Sequence, residues 1–310
     1  GGSNWLNTGT VSASSALLLR ATDSVRFVPD GINGTSASLT YRAWDQSGAT
    51  TGQQGTKADA TTNGGTTPFS TASDTASITV TAINDAPALT TSGGTTAFTE
   101  GDNTASTPVA IDSGLTLSDL DSPTLANATV SITGSFQSGE DGLAFTNDGA
   151  TMGDIAGSYN SATGVLTLTS AGGDSAAQWQ AALRVVSYDN SSEAPSTTNR
   201  TISFVVNDGS TNSAAVTKTI SVASINDTPV ANVPASIPVT EDTATAITGI
   251  SFSDTDAGGG SVTTTLSVPS GSLAATSSGG VTVGGTASAL TLTGSITSIN
   301  AFITGNNVTF

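Results

Sequence analysis

The 310-residue chain contains no cysteine and no histidine, and each absence excludes a kind of chemistry. Without cysteine there are neither disulfides nor thiolate metal sites, which is atypical of small secreted eukaryotic modules. Without histidine the chain lacks the usual general base of enzymes and the usual zinc ligand. This composition suits a protein that is stabilised by burial and by metal ions.

Basic residues are also scarce, because 7 lysines and arginines stand against 24 acids and give a formal net charge of −17. Nucleic acid is excluded as a partner, since binding it requires clustered Lys and Arg. The chain has neither a signal peptide nor an apolar run near 18 residues, so we expect no membrane insertion in this segment. The excess carboxylates must either remain solvated or meet cations.

Charged residues make up 10% of the chain and aromatic residues 5%, which leaves few of the side chains that cover helix surfaces. Strands are indicated by apolar residues at every second position, as in Ile202, Phe204 and Val206, with Thr and Ser between them. One apolar and one polar face per strand is typical of a two-sheet sandwich. The predicted fold is all-β, with tandem Ig-like or cadherin-like β-sandwich modules in an elongated array.

Helix is predicted in at most one or two turns per module. The candidates are residues 175–183 and 298–303, each of which follows a Leu-Thr-Leu-Thr strand. We expect Trp179 and Ile299 in these segments to fill the core.

One short phrase occurs twice, 142 residues apart, and predicts the domain organisation. Residues 78–87 (ITVTAINDAP) return as residues 220–229 (ISVASINDTP). Each copy is followed by a Thr-Glu pair and then by an Asp-x-Asp. The predicted modules are the C-terminal part of a sandwich at 1–86, a complete sandwich at 87–228, and the N-terminal part of a further sandwich at 229–310.

The two partial modules have two explanations that the sequence leaves open. The chain is either a window from a longer array or a subunit whose successive copies complete one another head to tail. An isolated partial sandwich would expose strand edges and a core face. The segment 46–73 is an insertion relative to the middle module, and it is either a contact surface or an elaborate hairpin.

The acids are the candidate site. Each Asn-Asp-x-Pro forms a joint that is followed 12 or 13 residues later by Glu100 or Glu241 and then by the Asp-x-Asp. Asp45 and Asp208 occupy matching positions after a strand. Ca²⁺ takes six to eight oxygen ligands from carboxylates, amides and carbonyls. The repeated set therefore indicates calcium at the joints, although for any single Asp a role in a turn is the favoured interpretation.

The phrase Ile-Asn-Asp-Ala-Pro, followed by Thr-Glu and Ser-Asp-x-Asp, resembles the cadherin-like and bacterial Ig-like tandem repeats of large type I-secreted (RTX-type) surface adhesins. The likeness covers essentially all of 1–310. It implies an extracellular, bacterial cell-surface location and a calcium-stiffened stalk between an anchor and a terminal adhesive domain. The Gly-Gly-x-Gly-x-Asp nonapeptide of such proteins is absent, which implies an interior stretch. The positions that the resemblance assigns as metal ligands are Asn84, Asp85, Glu100, Asp119, Asp121, Asp208, Asn226, Asp227, Glu241, Asp254 and Asp256.

Three functions from different classes follow. The favoured one is a structural stalk segment of a secreted adhesin, whose partners are neighbouring repeats. The alternative is a self-assembling subunit of an extracellular filament or sheath, whose partners are identical chains head to tail. The third is an enzyme, such as a glycoside hydrolase using Glu140 and Asp141, and it is disfavoured because adjacent side chains on a strand point apart. We therefore expect no enzymatic activity.

Overall fold

A computed structural model describes residues 5–310, and the predicted first module thus begins with four residues that lie outside the described ones. The chain divides into a first unit that ends at Asp85 and a second unit, Ala86–Phe310. The second unit contains two separate hydrophobic cores, one within residues 87–228 and one within residues 229–310. We call these two parts the middle module and the last module.

The first unit is built on a long antiparallel hairpin. Its elements are β1 (Ala16–Leu17), β2 (Thr35–Trp44), a short 3-10 helix (Gly48–Thr50), β3 (Lys57–Ala58) and β4 (Phe69–Val80). Strand β2 pairs with β4, and the insertion at 46–73 supplies β3, which pairs with β1. The insertion closes a small core of Leu18, Ala60 and Phe69. Much of the β2 surface stays exposed, including Tyr41 at 52%.

The middle module holds most of the strands. They are β5 (Ala88–Thr90), β6 (Thr95–Thr99), β7 (Val109–Ala110), β8 (Thr116–Ser118), β9 (Leu125–Gly134), β10 (Asp141–Ala144), β11 (Ala156–Asn160), β12 (Val165–Asp174), β13 (Ser187–Asn190), β14 (Arg200–Asn207) and β15 (Val216–Ala223), with helix α1 (Ala176–Val185) between β12 and β13. A six-stranded sheet has the order β11-β12-β9-β14-β15-β6, and a three-stranded sheet has the order β10-β13-β7. Strands β5 and β8 form a separate pair. Only the β15–β6 pair in these ladders is parallel, from Thr219 beside Thr95 to Ala223 beside Thr99.

The core of the middle module lies between its two sheets. The predicted alternation is confirmed, because Ile202, Phe204 and Val206 are all fully buried. The ring of Phe98 on β6 meets the ring of Tyr188 on β13 edge to face, with centroids 5.1 Å apart. Such contacts between the inner faces of two sheets define a β-sandwich.

Helix α1 begins with a capping box and fills one end of the sandwich. The Ser175 side chain accepts from the Gln178 backbone N–H, and the Gln178 side chain accepts from the Ser175 N–H at 2.9 Å. Trp179 is fully buried, as predicted, and its indole N–H donates to the Leu125 carbonyl at 3.0 Å. The helix has 10 residues and is longer than the one or two turns expected.

The last module repeats part of this plan. Its elements are β16 (Val230–Asn232), β17 (Ser251–Ser253), β18 (Ser261–Ser267), β19 (Ala274–Ala275), β20 (Thr282–Thr286), β21 (Ala289–Ser295), α2 (Ile296–Thr304) and β22 (Val308–Thr309). The main sheet has the order β18-β21-β20. Helix α2 is capped by Ser295, and Ile299 is fully buried, as predicted. Strand β21 and helix α2 thus correspond to β12 and α1.

A buried ion pair joins the two sheets of the middle module. The Arg200 guanidinium donates from Nε to both carboxylate oxygens of Asp141, at 2.9 and 3.2 Å, and both side chains are fully buried. The Asp141 carboxylate also accepts from the Tyr188 hydroxyl at 2.6 Å and from the Asn190 amide at 2.7 Å. Asp141 is therefore surrounded by hydrogen-bond donors, and these bonds link strand β10 to strands β13 and β14.

The fold of residues 5–310 is all-β, with two short α-helices in a framework of strands. Among residues 5–310, no helix is long and apolar enough to span a membrane.

Candidate functional site: the joint at residues 225–229

The joint between the middle and last modules consists of residues 225–229, which follow β15 and precede β16. Pro229 immediately precedes β16, and because it has no N–H it cannot donate to a strand ladder. Strand β16 pairs with β17, so the Asp-x-Asp that follows β17 lies beside the joint. The acids that meet here come from both modules.

Glu100 binds the joint from the end of β6. The parallel pairing of β6 with β15 brings both strands to the joint side by side. One carboxylate oxygen of Glu100, Oε1, accepts the Ile225 backbone N–H at 2.6 Å, while Oε2 has no hydrogen-bond partner in the protein. The side chain is 2% exposed, and its burial raises the pKa of Glu100. The nearby carboxylates of Asp227, Glu193 and Asp256 raise the pKa of Glu100 further.

Asp227 is the fully buried centre of the joint. Its Oδ1 accepts the Asn103 backbone N–H at 2.8 Å, and its Oδ2 has no hydrogen-bond partner in the protein. Asn103 has φ 47°, a left-handed conformation that Asn tolerates better than most residues, and this turn directs its N–H towards Asp227. The neighbouring Asp102 accepts the Thr228 N–H at 3.0 Å. The turn after β6 is thus bonded to the joint through both Asp102 and Asn103.

Asp256 reaches the joint from the last module. Its Oδ2 accepts the Asp227 N–H at 3.0 Å. A hydrogen bond between the two carboxyls of the Asp-x-Asp raises the pKa of Asp254 and lowers the pKa of Asp256. Asp254 also accepts the Ala257 N–H at 3.0 Å, which holds the turn after β17. The backbone of one module is therefore bonded to a carboxylate of the next.

Three carboxylate oxygens at the joint are buried and accept no hydrogen bond from the protein: Glu100 Oε2, Glu193 Oε2 and Asp227 Oδ2. Buried charged groups ordinarily have a partner, because burial without one costs free energy. The ion pair found among residues 5–310 is the one between Arg200 and Asp141, so none of these acids is paired with a base there. Orphaned oxygens of this type fit a hard cation such as Ca²⁺. Within the same residues, no group of three or more acids is placed to hold a metal ion as it stands.

The structure brings together five of the eleven predicted ligands at this joint. Glu100, Asn226, Asp227, Asp254 and Asp256 meet at this joint, where the Asn226 amide donates to the Asp227 carbonyl at 2.9 Å.

Of the remaining six predicted ligands, Asn84 and Asp85 belong to the first unit, and Asp119 and Asp121 follow β8 in the middle module. Asp208 accepts the N–H groups of Ser210 and Thr211 in its own loop. Glu241 is exposed in a turn of the last module.

Three residues of the joint were not among the predicted ligands: Asp102, Asn103 and Glu193. The first two follow Glu100 directly, and the sequence Glu-Gly-Asp-Asn could have indicated a polar turn. Glu193 lies in a loop between β13 and β14, and no local pattern marks it. Asp141, considered above as half of a catalytic pair, is instead engaged by Arg200, Tyr188 and Asn190.

Comparisons with known proteins add little. No family model matches the chain, and no curated protein matches it. Among solved structures, the chain is similar to a surface layer protein, SbsC, domains 4–9, with 12% identity and a TM-score of 0.25. The match covers 87% of this chain and 36% of that one, and a likeness this weak carries no conclusion about fold or function. The relation to cadherin-like adhesins stays a prediction.

Proposed function

We propose that the chain is a structural segment of an extracellular bacterial surface protein, a stalk whose β-sandwich modules are held in register by calcium at their joints. The observation that carries this proposal is the set of three orphaned carboxylate oxygens of Glu100, Glu193 and Asp227. The fold has already removed these oxygens from water, and the protein gives them no hydrogen-bond donor. Binding to a cell-surface target is assigned to other parts of such a protein.

The residues that would hold the ion are Glu100, Glu193 and Asp227 from the middle module and Asp256 from the last module. Calcium bound there supplies positive charge and additional oxygen coordination between the modules. The protein supplies the rest: Ile225, Asn103 and Asp227 donate backbone N–H groups that orient three of the carboxylates. Small rotations of the side chains must accompany binding, since the acids are not yet spaced as a cage.

The test is a calcium titration of the whole chain by calorimetry, with thermal unfolding and small-angle scattering in calcium and in chelator. We expect calcium to raise the melting temperature and to narrow the distribution of interatomic distances measured by scattering. A ligand that binds only the folded state stabilises it by about 2.7 kcal/mol at a hundred times its dissociation constant.

The decisive variants are Glu100→Gln and Asp227→Asn, combined in one chain. They keep the shape of both side chains and remove two charges, so the calcium response should disappear at this joint. Asp148→Asn with Asp242→Asn is the matched control, because it removes two charges from exposed loops of the same unit that share no hydrogen bond with the joint. Equal responses in the two double variants, or no response in the parent chain, would show that the joint does not bind calcium.

A further inference from the structure

One edge of the six-stranded sheet in the middle module is open. Strand β11 lies at the end of that sheet and pairs with β12 alone among the strands of residues 5–310. The Tyr159 hydroxyl donates to the Asp141 carbonyl at 2.8 Å and holds the strand against β10. Four of the five residues of β11 are exposed: Ala156, Gly157, Ser158 and Asn160. A regular strand edge is therefore accessible in this module.

Strand β20 is the counterpart of β11 in the last module, and its edge is protected. Val283 in β20 and Gly157 in β11 occupy the same position, each opposite the second leucine of a Leu-Thr-Leu-Thr strand. The Val283 N–H donates to the Ser277 hydroxyl at 2.8 Å rather than to β21. This N–H therefore points to the open side of β20, where a side chain of the same module accepts its hydrogen bond.

Strand β11 lacks the features that protect β20 and other sheet edges. Gly285 in β20 has φ 80°, which interrupts the extended backbone there, whereas β11 pairs with β12 in unbroken register. The sequence of β11, Ala-Gly-Ser-Tyr-Asn, contains neither the charged residue nor the proline that commonly blocks an edge. Among residues 5–310, no hydrogen bond reaches the Gly157 N–H in the way that Ser277 reaches Val283. The edge is therefore available to another strand.

The charge of the chain limits what can bind at this edge. With a formal net charge of −17, copies of the chain repel one another wherever their acids approach. The acid before β11, Asp154, accepts the Ser170 hydroxyl at 2.6 Å, so its carboxylate is turned towards β12 and not towards the open edge. The opposite edge of the sheet differs, because β6 leads directly into Glu100 and the acidic joint. At β11, two copies can meet without opposing charges, and a basic partner would find no charge to attract it.

We propose that the β11 edge is an interaction surface whose occupant is β11 of a second copy of this chain. The two strands run antiparallel about a two-fold axis at Ser158, which places Gly157 of one copy opposite Tyr159 of the other. The N–H and C=O groups of these two residues face the open side by the same register that directs the Val283 N–H in β20. The pair therefore forms about four main-chain hydrogen bonds and joins two six-stranded sheets into one.

The contact is small, and its size determines the kind of association that it supports. Five residues at about 3.4 Å each give an edge about 17 Å long. Standard interfaces bury about 800 Å² on each partner, which a single strand pair does not approach. The pairing is therefore weak and lateral, and it becomes effective where many copies are held at high local concentration on one surface. It needs no metal ion, so the inference goes beyond the calcium joint and does not depend on it.

Disulfide formation in chelator tests the register of the pair. The chain has no cysteine, so a single introduced thiol reports on its own position. The two copies of Ser158 lie directly opposite each other, about 4.5 Å apart between Cα atoms, which suits a disulfide. The two copies of Ala156, on the same face, lie about 14 Å apart and out of reach. Under mild oxidation, we expect Ser158→Cys to form a disulfide-linked dimer at least about tenfold faster than Ala156→Cys.

A like charge at the axis tests the contact itself. Association is followed by sedimentation as the concentration of the parent chain is raised to about 1 mM in chelator. Ser158→Lys places two ammonium groups opposite each other, and we expect it to weaken association at least about tenfold. Thr167→Lys is the matched control, because Thr167 lies beside Ser158 on β12 and places the same charge one strand further from the axis. A parent chain that stays monomeric, equal effects of these two substitutions, or equal rates for the two cysteine variants would each overturn the inference.

Discussion

Removing the Arg200 side chain is the sharpest test of how the middle module is stabilised. Arg200→Met keeps most of the aliphatic volume but leaves the fully buried Asp141 without its counter-ion. Breaking a buried pair in this way typically costs about 3–5 kcal/mol. Asp141 would still accept hydrogen bonds from Tyr188, Asn190 and the Gln137 N–H, so we expect the lower end, about 3 kcal/mol. For a module of this size that loss lowers the melting temperature by roughly 6–12 °C.

The assay is urea unfolding followed by the fluorescence of Trp179, in a background where Trp5 and Trp44 are replaced by Phe. The chain has 3 tryptophans, so Trp179 then reports on the middle module alone. Combining Arg200→Met with Asp141→Asn removes the unpaired charge, and the double variant should recover about half of the loss. A single variant that loses less than about 1 kcal/mol, or a double variant as unstable as the single one, would refute the reasoning.

Two further predictions concern the joint and a tight loop. Burial, with neighbouring acids, raises the folded-state pKa of Glu100, so the folded chain binds this proton more tightly than the unfolded chain does. In chelator, the free energy of unfolding should therefore fall as the pH rises from the pKa of Glu100 in the unfolded chain through its raised pKa in the folded chain. Glu100→Gln should make the melting temperature depend less on pH over this range. The same pH dependence in the variant and the parent would contradict this prediction. Gly153 has φ 58°, and a Cβ there would lie 1.8 Å from the Asp174 carboxylate, so Gly153→Ala should cost more than about 2 kcal/mol in urea unfolding. Gly149→Ala is the control, because Gly149 has φ 69° with open space around it, and it should cost about 1 kcal/mol. Equal losses in the two variants would mean that the Asp174 side chain moves away from the new Cβ at no cost in stability.

The strand pattern was predictable because it is local. Alternation in Ile202 and Phe204 depends on neighbours two residues away, and the helix beginning at Ser175 is marked by its own capping residues. The first unit departs from the pattern: Leu39 alternates correctly yet remains exposed. Periodicity indicates which face is apolar, but burial also requires a second sheet to cover that face.

The candidate site was predictable only in part, because it depends on long-range contacts. Glu100 and Asp227 are repeated in the sequence, and repetition marked them. Glu193 reaches the same place through the fold of the sandwich, which no local spacing indicates. Arg200 is different, since it shares the alternation of Ile202 and Phe204 and must therefore face the core. A lone arginine at such a position predicts a buried acid, even though the sequence does not say which one.

The parallel pairing of β6 with β15 has a mechanical consequence. Tension on the chain would pull β6 towards the preceding residues and β15 towards the joint, in opposite directions along one ladder. The bonds between Thr95–Thr99 and Thr219–Ala223 would then be loaded in shear, all at once, whereas the ladder of a hairpin pulled from its open end separates one bond at a time. The edge of the six-stranded sheet is thus where the middle module would bear an extending force.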